Sequence, residues 1–222
     1  MAGSGRRAVL RVVEWRNLNE QERTTFCARG LADIFDPALR ASIAELIDDV
    51  RTNGDDAVCR ALEKFDGVKL RADQLVIGAD AIASARVSPD LESALSHAIT
   101  NLRTFNEKLM ERASNWSTEI QPGLSAGERI TPVSSAGLFV PSGKASYPSV
   151  AYQLGVPAVV ARVPDIALLV PPQPGTNGEV DPAILVVCRM LGISRVYRAN
   201  GPAGIAALGF GTASIAPVRK IV

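Results

Sequence analysis

Residues 136–149 read AGLFVPSGKASYPS, and this stretch determines how the chain around it folds. Its first part, 136–140, is small and apolar and predicts a short buried strand that breaks at Pro141. A loop follows, and Tyr147-Pro148-Ser149 predicts the start of a helix. A strand, a glycine-containing turn and a helix start bring a ligand onto backbone N–H groups and the positive end of the helix dipole. Lys144 adds a cation at the same place.

The alternation of strand, break and helix continues to the end of the chain. Helices are predicted over 147–161, 179–191 and 203–209, and apolar strands over 165–170, 194–199 and 218–222. This alternation is typical of βαβ units and of a parallel sheet buried on both faces. The sequence therefore predicts an α/β fold with a Rossmann-like parallel sheet, although it lacks the GxGxxG fingerprint. Loops at 141–144, 171–178 and 200–202 should lie along one edge, where open α/β sheets bind ligands.

The first part of the chain is predicted to be mostly helical. The predicted helices cover 19–30, 36–53, 55–66 and 88–112, and short strands are predicted over 9–13 and 116–120. The helix over 88–112 has apolar residues at alternating spacings of four and three, which predicts a straight seam for packing. The seam residues are Leu91, Leu95, Ala98, Leu102, Phe105 and Leu109. His97 lies away from this seam and is predicted to be a surface residue, and 122–127 predicts a turn-rich connector.

Two adjacent carboxylates, Asp55 and Asp56, follow the Asn53-Gly54 pair. They could form a paired acid site. Their place just after a glycine and just before a helix favours a simpler interpretation, in which Asp55 caps the helix and Asp56 is a solvated neighbour. Asp66-Gly67 predicts the end of the same helix.

Composition argues against several functional classes. The chain has 222 residues, of which 47% are hydrophobic and 21% charged, so a packed core is expected. A net charge of +1 and an aromatic content of 5% argue against a nucleic-acid partner. No stretch approaches the roughly 20 apolar residues of a membrane span. The three cysteines are far apart and odd in number, which fits reduced thiols in the cytoplasm, and a single histidine predicts no self-contained zinc site.

Several motifs resemble the histidinol dehydrogenase family, in the family's order and from about residue 20 onwards. These motifs are VRTNGD at 50–55, KFDG at 64–67, GLFVPSGKASYPS at 137–149, VPA at 156–158, VPP at 170–172 and IAALGFGT at 205–212. The resemblance implies an NAD-dependent, zinc-requiring homodimer that oxidises histidinol or a related small polar alcohol. It also implies an N-terminal arm over 1–25, the helical part of an incomplete first domain over 26–131, and a Rossmann-like second domain over 132–222.

The resemblance further implies which residues bind the cofactor. The family's cofactor loop has a tyrosine where this chain has Phe139, so a stacking face is kept and a hydroxyl is lost. Ala203 takes the place of a glutamine that contacts the nucleotide, which predicts weaker binding. These two departures indicate a paralogue that acts on another alcohol, for instance a sulfonated diol. The implied cofactor residues are Phe139, Pro141, Gly143, Lys144, Asn200, Gly201 and Ala203.

Family enzymes are considerably longer than this chain, and their zinc ligands and proton-transferring glutamate and histidine are expected outside these residues. Two alternatives to an N-terminal portion of a dehydrogenase therefore stay open. One is a non-catalytic binding module that keeps the fold and the ligand loop. The other is one half of a split enzyme that pairs with a second polypeptide. Lys144 could also be a solvated loop charge, and Asn200-Gly201 a turn without a ligand.

We expect the 222-residue chain, purified alone, to form no NADH from histidinol or a related alcohol when zinc or manganese is added. The chemistry needs a positioned acid or base and several converging metal ligands, which the resemblance places elsewhere. Absorbance of NADH measures the reaction, and turnover above background would contradict the expectation.

Overall fold

The computed structural model describes residues 12–28, 36–141 and 146–222. They divide into two compact units, 1–42 and 43–222. The first unit contains a 3-10 turn, Trp15–Asn17, and helix α1, Glu20–Cys27. The helix predicted over 19–30 is confirmed across α1, and its last two residues lie outside the described part. The strand predicted over 9–13 lies outside it up to residue 11, and residues 12 and 13 are not in a strand.

The helical part of the chain continues from there. Helix α2, Pro37–Asn53, contains residues of both units, and the elements after it belong to the second. In chain order these are α3, Asp55–Ala61; a π-helical turn, Leu62–Asp66; a 3-10 turn, Ala72–Gln74; β1, Val76–Ile77; α4, Ala79–Ser84; α5, Pro89–Met110; β2, Trp116–Gln121; and β3, Leu124–Glu128. The helices predicted over 36–53, 55–66 and 88–112 are thereby confirmed, with small shifts at their ends.

The second half of the chain alternates strands and helices, as predicted. The elements are β4, Ala136–Phe139; α6, Pro148–Val160; β5, Ile166–Val170; α7, Pro182–Leu191; β6, Arg195–Arg198; α8, Gly201–Phe210; and β7, Lys220–Ile221. Among the described residues they form a five-stranded sheet in the order β1-β6-β5-β4-β7. Strands β4 to β7 are parallel to one another, and β1 is antiparallel to β6. The predicted α/β fold with a parallel sheet is confirmed.

Alternate residues of each strand face two separate cores, because side chains point to opposite faces of a sheet with a period of two. Leu138, Leu168 and Val196 belong to the first core, which also contains residues of α5, α6 and α7. Leu169 and Tyr197 belong to the second core, with residues of α2, α3 and α8. Both faces of the parallel sheet are therefore buried, as its runs of apolar residues predict.

Two strands were not predicted. The two-residue strand β1 has no sequence pattern of its own and exists because it pairs with β6, Val76 opposite Tyr197 and Ile77 opposite Val196. Strand β3 lies in the stretch interpreted as a connector. It pairs with β2 in an antiparallel hairpin whose residues are all exposed. Without a buried face, such a strand shows no alternation of apolar and polar residues.

The predicted apolar seam of α5 is only partly correct. Leu95 and Ile99 are buried and Leu102 packs against the first core, but Phe105 and Leu109 are 62% and 47% exposed. Leu91 is also exposed, so the helix has packing partners along only part of its length. His97 is exposed, as predicted.

Asp55 does not cap α3, and that prediction is wrong. Gly54 occupies the cap position, with a positive φ of 54°, and Asp55 is the first helical residue. Asp55 is 7% exposed, and its carboxylate accepts hydrogen bonds from the Thr212 hydroxyl and from the Ser214 N–H at 3.0 Å. Asp55 therefore joins α3 to the segment between α8 and β7. Asp56 is exposed, as predicted.

We expect Asp55→Ala to lower the free energy of unfolding by about 2–4 kcal/mol, because it leaves two partly buried donors without a charged acceptor. Urea unfolding measures the loss. The adjacent Asp56→Ala is the matched control and should change stability by no more than about 0.5 kcal/mol, since exposed positions tolerate substitution. Equal effects of the two substitutions would show that the buried carboxylate does not hold the segment.

Candidate functional site

The carboxyl ends of β4, β5 and β6 lie at one edge of the sheet. Phe139 is opposite Leu169 in β5, and Leu169 is opposite Tyr197 in β6. Neighbouring strands are about 4.8 Å apart, so the ends of β4 and β6 are separated by roughly 10 Å. The segments that begin at Pro141, after β5 and at Asn200 leave the sheet at this edge. Gly143 and Lys144 lie outside the described residues, so their predicted place stays a prediction.

This edge contains the point at which the strand order reverses. The chain runs outward from β4 to β5 and β6, and then returns through α8 to place β7 on the other side of β4. Helices α6 and α7 contribute to the first core and α8 to the second, so the crossovers lie on opposite faces. Ligands of open α/β sheets bind in the crevice at such a switch point. The chain leaves the sheet beside this switch point, directly after β4 ends at Phe139.

Phe139 is the last residue of β4 and is half-buried. Its side chain packs against the second core, and its backbone N–H donates to the Val222 carbonyl at 2.8 Å. The Val222 N–H donates in turn to the Gly137 carbonyl at 2.9 Å, so the pairing of β4 and β7 extends to this edge. Pro141, two residues further on, is exposed. The ring of Phe139 is therefore held in place by packing while part of it reaches solvent.

The start of α8 forms the other side of the candidate site. Asn200 is the cap residue, and its side-chain Oδ1 accepts a hydrogen bond from the Gly201 N–H at 2.8 Å. Gly201 has a positive φ of 52°, which favours glycine. Ala203 is 2% exposed, so its methyl group is packed in the core. A glutamine side chain at this position would have to occupy the space of that methyl group. Ala203 itself can reach a ligand only through its backbone N–H, which is one of the first-turn donors that a helix leaves unpaired.

Asp66 also lies at this edge of the sheet. Its local sequence, Asp66-Gly67, predicts only the end of a helix. The side-chain Nδ2 of Asn200 donates to Asp66 Oδ1 at 2.6 Å, across 134 positions of the chain. Burial raises the pKa of the Asp66 carboxyl above its ordinary range, and the hydrogen bond from Asn200 offsets only part of that rise. The predicted helix end is confirmed, because Gly67 has a positive φ of 68°. A signal was present in the sequence, since Asp66 lies in the KFDG motif of the family resemblance and Asn200 is one of the cofactor residues that the resemblance implies.

Arg198 anchors the loop that follows β5. Its Nε donates to the Gly178 carbonyl at 2.6 Å and its Nη1 to the Gln74 carbonyl at 2.7 Å. Burial lowers the pKa of this guanidinium. The residue lies at the end of β6, so the loop over 171–178 and the turn before β1 are tied to the same edge as Asn200. This role of Arg198 has no signal in the sequence, because no local pattern reveals a side chain that bonds to distant carbonyls.

The described residues do not provide a metal centre. Within 12–28, 36–141 and 146–222, no group of three or more His, Cys, Asp or Glu side chains gathers that could hold a metal ion. The set of ligands that zinc needs is therefore not assembled in this part of the chain. The same described ranges contain no helix long and apolar enough to cross a membrane.

A groove of about 760 Å³ lies elsewhere in the second unit. It is lined by the carboxyl-terminal ends of α5 and α6 and by residues just before β4, including Arg103, Met110, Pro132 and Arg162. Arg162 has a positive φ of 58°, in the position after α6 where helices usually place glycine. The carboxyl end of α6 and the start of β4 are at the opposite edge of the sheet from Asn200. The groove is therefore not part of the candidate cofactor site.

We expect Asp66→Asn to raise the free energy of unfolding at pH 7. Because the pKa of Asp66 is higher in the folded state, protonation of this carboxyl stabilises the folded protein. That stabilisation is lost as the pH rises through the folded pKa. The gain should shrink as the pH falls through the folded pKa towards the ordinary pKa of an aspartate, because the parent carboxyl then becomes protonated. Urea unfolding at several pH values checks it. Asp73→Asn is the control and should give no gain, because Arg71 lowers the pKa of that exposed carboxyl.

Comparison with known proteins agrees with these features. The family model for histidinol dehydrogenase matches residues 33–222. A histidinol dehydrogenase homolog of Rhizobium meliloti is 37% identical over 211 residues, which cover 94% of this chain and 45% of the relative. The histidinol dehydrogenase of Xanthomonas axonopodis pv. citri is 34% identical over 212 residues, which cover 96% of this chain and 48% of the relative.

A solved structure is also similar. The crystal structure of histidinol dehydrogenase from Elizabethkingia anophelis superposes with a TM-score of 0.75 at 29% identity. The match covers 82% of this chain and 41% of that one. The chain thus spans about half the length of the relatives that it matches. The family match, the parallel sheet with its switch point and the motifs at its edge agree: the chain belongs to the histidinol dehydrogenase family.

Proposed function

We propose that this chain is the N-terminal portion of an NAD-dependent, zinc-requiring oxidoreductase that acts on the CH–OH group of histidinol or a related small polar alcohol. The family membership supports the reaction class. The observation that carries the cofactor assignment is the switch-point edge, where Phe139 and the start of α8 follow parallel strands. Membership also leads us to propose a homodimer in the cytoplasm, and the free thiols Cys27, Cys59 and Cys188 are compatible with a reducing compartment.

In this proposal the nucleotide lies across Phe139, the loop over 141–144 and the Asn200-Gly201 turn. The half-buried ring of Phe139 offers an apolar face for stacking. Pro141 and Gly143 are cofactor residues in this proposal, and Lys144 supplies a charge for a phosphate. Asn200 offers its amide, Gly201 a backbone without a side chain, and Ala203 its backbone N–H. NAD, when bound, supplies the hydride acceptor.

The family's zinc ligands and its acid and base are expected in the portion of the protein beyond this chain. This half therefore binds and orients the nucleotide, and the other portion supplies the metal and moves protons.

We expect Phe139→Ala and Asn200→Ala each to weaken NAD binding to the full-length protein about fivefold to tenfold. Loss of stacking or of a hydrogen bond removes on the order of 1 kcal/mol. Isothermal titration calorimetry measures the affinity. Phe105→Ala is the matched control, because Phe105 is 62% exposed on α5, and it should leave the affinity unchanged. Equal affinity of all the variants would place the nucleotide elsewhere.

Activity of the full-length protein tests the reaction class separately. We expect NADH to form with histidinol or another small polar alcohol when zinc is supplied, and chelation to abolish it. The Phe139→Ala variant should raise the KM for NAD more than it lowers kcat, since ring stacking binds the ground state and the transition state alike. Failure of every small polar alcohol to reduce NAD would exclude the proposed activity.

A further inference from the structure

The hydrogen bond between Asp66 and Asn200 joins the helical part of the chain to the candidate nucleotide edge of the sheet. Asn200 begins α8 at the candidate nucleotide edge, whereas Asp66 ends the π-helical turn that follows α3. The side-chain bond between them measures 2.6 Å. Every other residue assigned to the cofactor comes from the second half of the chain. Asp66 thus brings a carboxylate from the helical part to the edge of the sheet.

The bonds of the Asn200 amide determine which way it faces. An asparagine side chain has two N–H donors and an oxygen with two lone pairs. One N–H goes to Asp66, and one lone pair accepts the Gly201 N–H at 2.8 Å. An ionised carboxylate only accepts hydrogen bonds. If the amide were flipped, its oxygen would face the Asp66 oxygen and its NH2 group would face the Gly201 N–H, so both bonds would be lost. Among the residues that the structure describes, no partner takes the second N–H or the second lone pair, and both point in fixed directions.

Asp66 is itself held rigidly. Leu62, at the other end of the π-helical turn, is 1% exposed and belongs to the second core, as do Ala203 and Ala206 of α8. The Gly67 and Val68 N–H groups both donate to the Leu62 carbonyl, which closes the turn directly after Asp66. A group that orients another is effective when its own position is set by packing. The half-buried carboxyl is thus positioned before any ligand arrives.

We propose that Asp66 is a positioning residue of the nucleotide site, which fixes the Asn200 amide so that its remaining N–H and lone pair face the cofactor. The inference rests on the proposed function, because it requires that Asn200 contacts NAD. It adds a residue from outside the second half of the chain to the site. It also gives a reason for a half-buried carboxylate at this edge. Replacing Asp66 would raise the free energy of unfolding but would remove the group that orients the Asn200 amide.

A double-mutant cycle on the full-length protein tests this role through NAD affinity. We expect Asp66→Ala to weaken NAD binding about threefold to tenfold in the parent protein. The same substitution should change the affinity less than twofold when Asn200 is already alanine, because Asp66 acts through that side chain. Asp66→Asn keeps an acceptor oxygen and should recover part of the affinity. Asp73→Ala removes an exposed carboxylate and should have no effect.

The outcomes separate this inference from the proposed function. If Asp66→Ala weakens binding equally with and without Asn200, Asp66 acts directly or through general destabilisation, and the positioning role is overturned. If Asn200→Ala weakens binding and Asp66→Ala does not, the inference alone fails. If Asn200→Ala has no effect, both the proposed site and the inference fail. Thermal unfolding of each variant confirms that it is folded, and Asp66→Asn supplies a test should Asp66→Ala not fold.

Discussion

Helix α8 can lie against the sheet because two glycines leave room for it. A Cβ added to Gly137 in β4 would lie 2.6 Å from Leu208 Cδ1, closer than real contacts allow. A Cβ on Gly204 within the helix would be 3.1 Å from both Ala199 and Leu169. This close approach lets α8 start immediately after β6 and return the chain to β7 beside β4. The reversal of strand order, and with it the crevice at the sheet edge, depends on this packing.

The segment 55–66 contacts α8 and the stretch that follows it at both ends. Asp55, at the start of this segment, accepts hydrogen bonds from Thr212 and Ser214, beyond the carboxyl end of the helix. Asp66, at its end, accepts one from Asn200 at the amino end. Between them, α3 and α8 share the second core. The helical part of the chain is therefore a direct support of the candidate site.

Much of the sheet could be predicted from the sequence because the residues that end its strands lie close to them along the chain. Prolines or glycines follow β4, β5 and β6 within three residues, and the apolar runs of β4 and β5 have the composition of buried strands. Strand β1 could not be predicted, since two residues carry no periodicity and its existence depends on β6. The site was predictable only in part. Phe139 and Asn200 follow from strand ends, whereas the bonds of Asp55 and Asp66 join residues 157 and 134 positions apart.

The two carboxylates of this segment illustrate how structural and positioning roles differ physically. Asp55 is 7% exposed and bonds to a hydroxyl and a backbone N–H, so its burial is compensated within the fold. Among the described residues Asp66 has one side-chain partner, and burial raises the pKa of its carboxyl. A group that the fold alone does not fully compensate has bonding capacity left for something else. Asp66 instead lies at the switch-point edge and bonds to Asn200, so in our proposal its carboxylate orients a ligand-binding amide rather than closing the core.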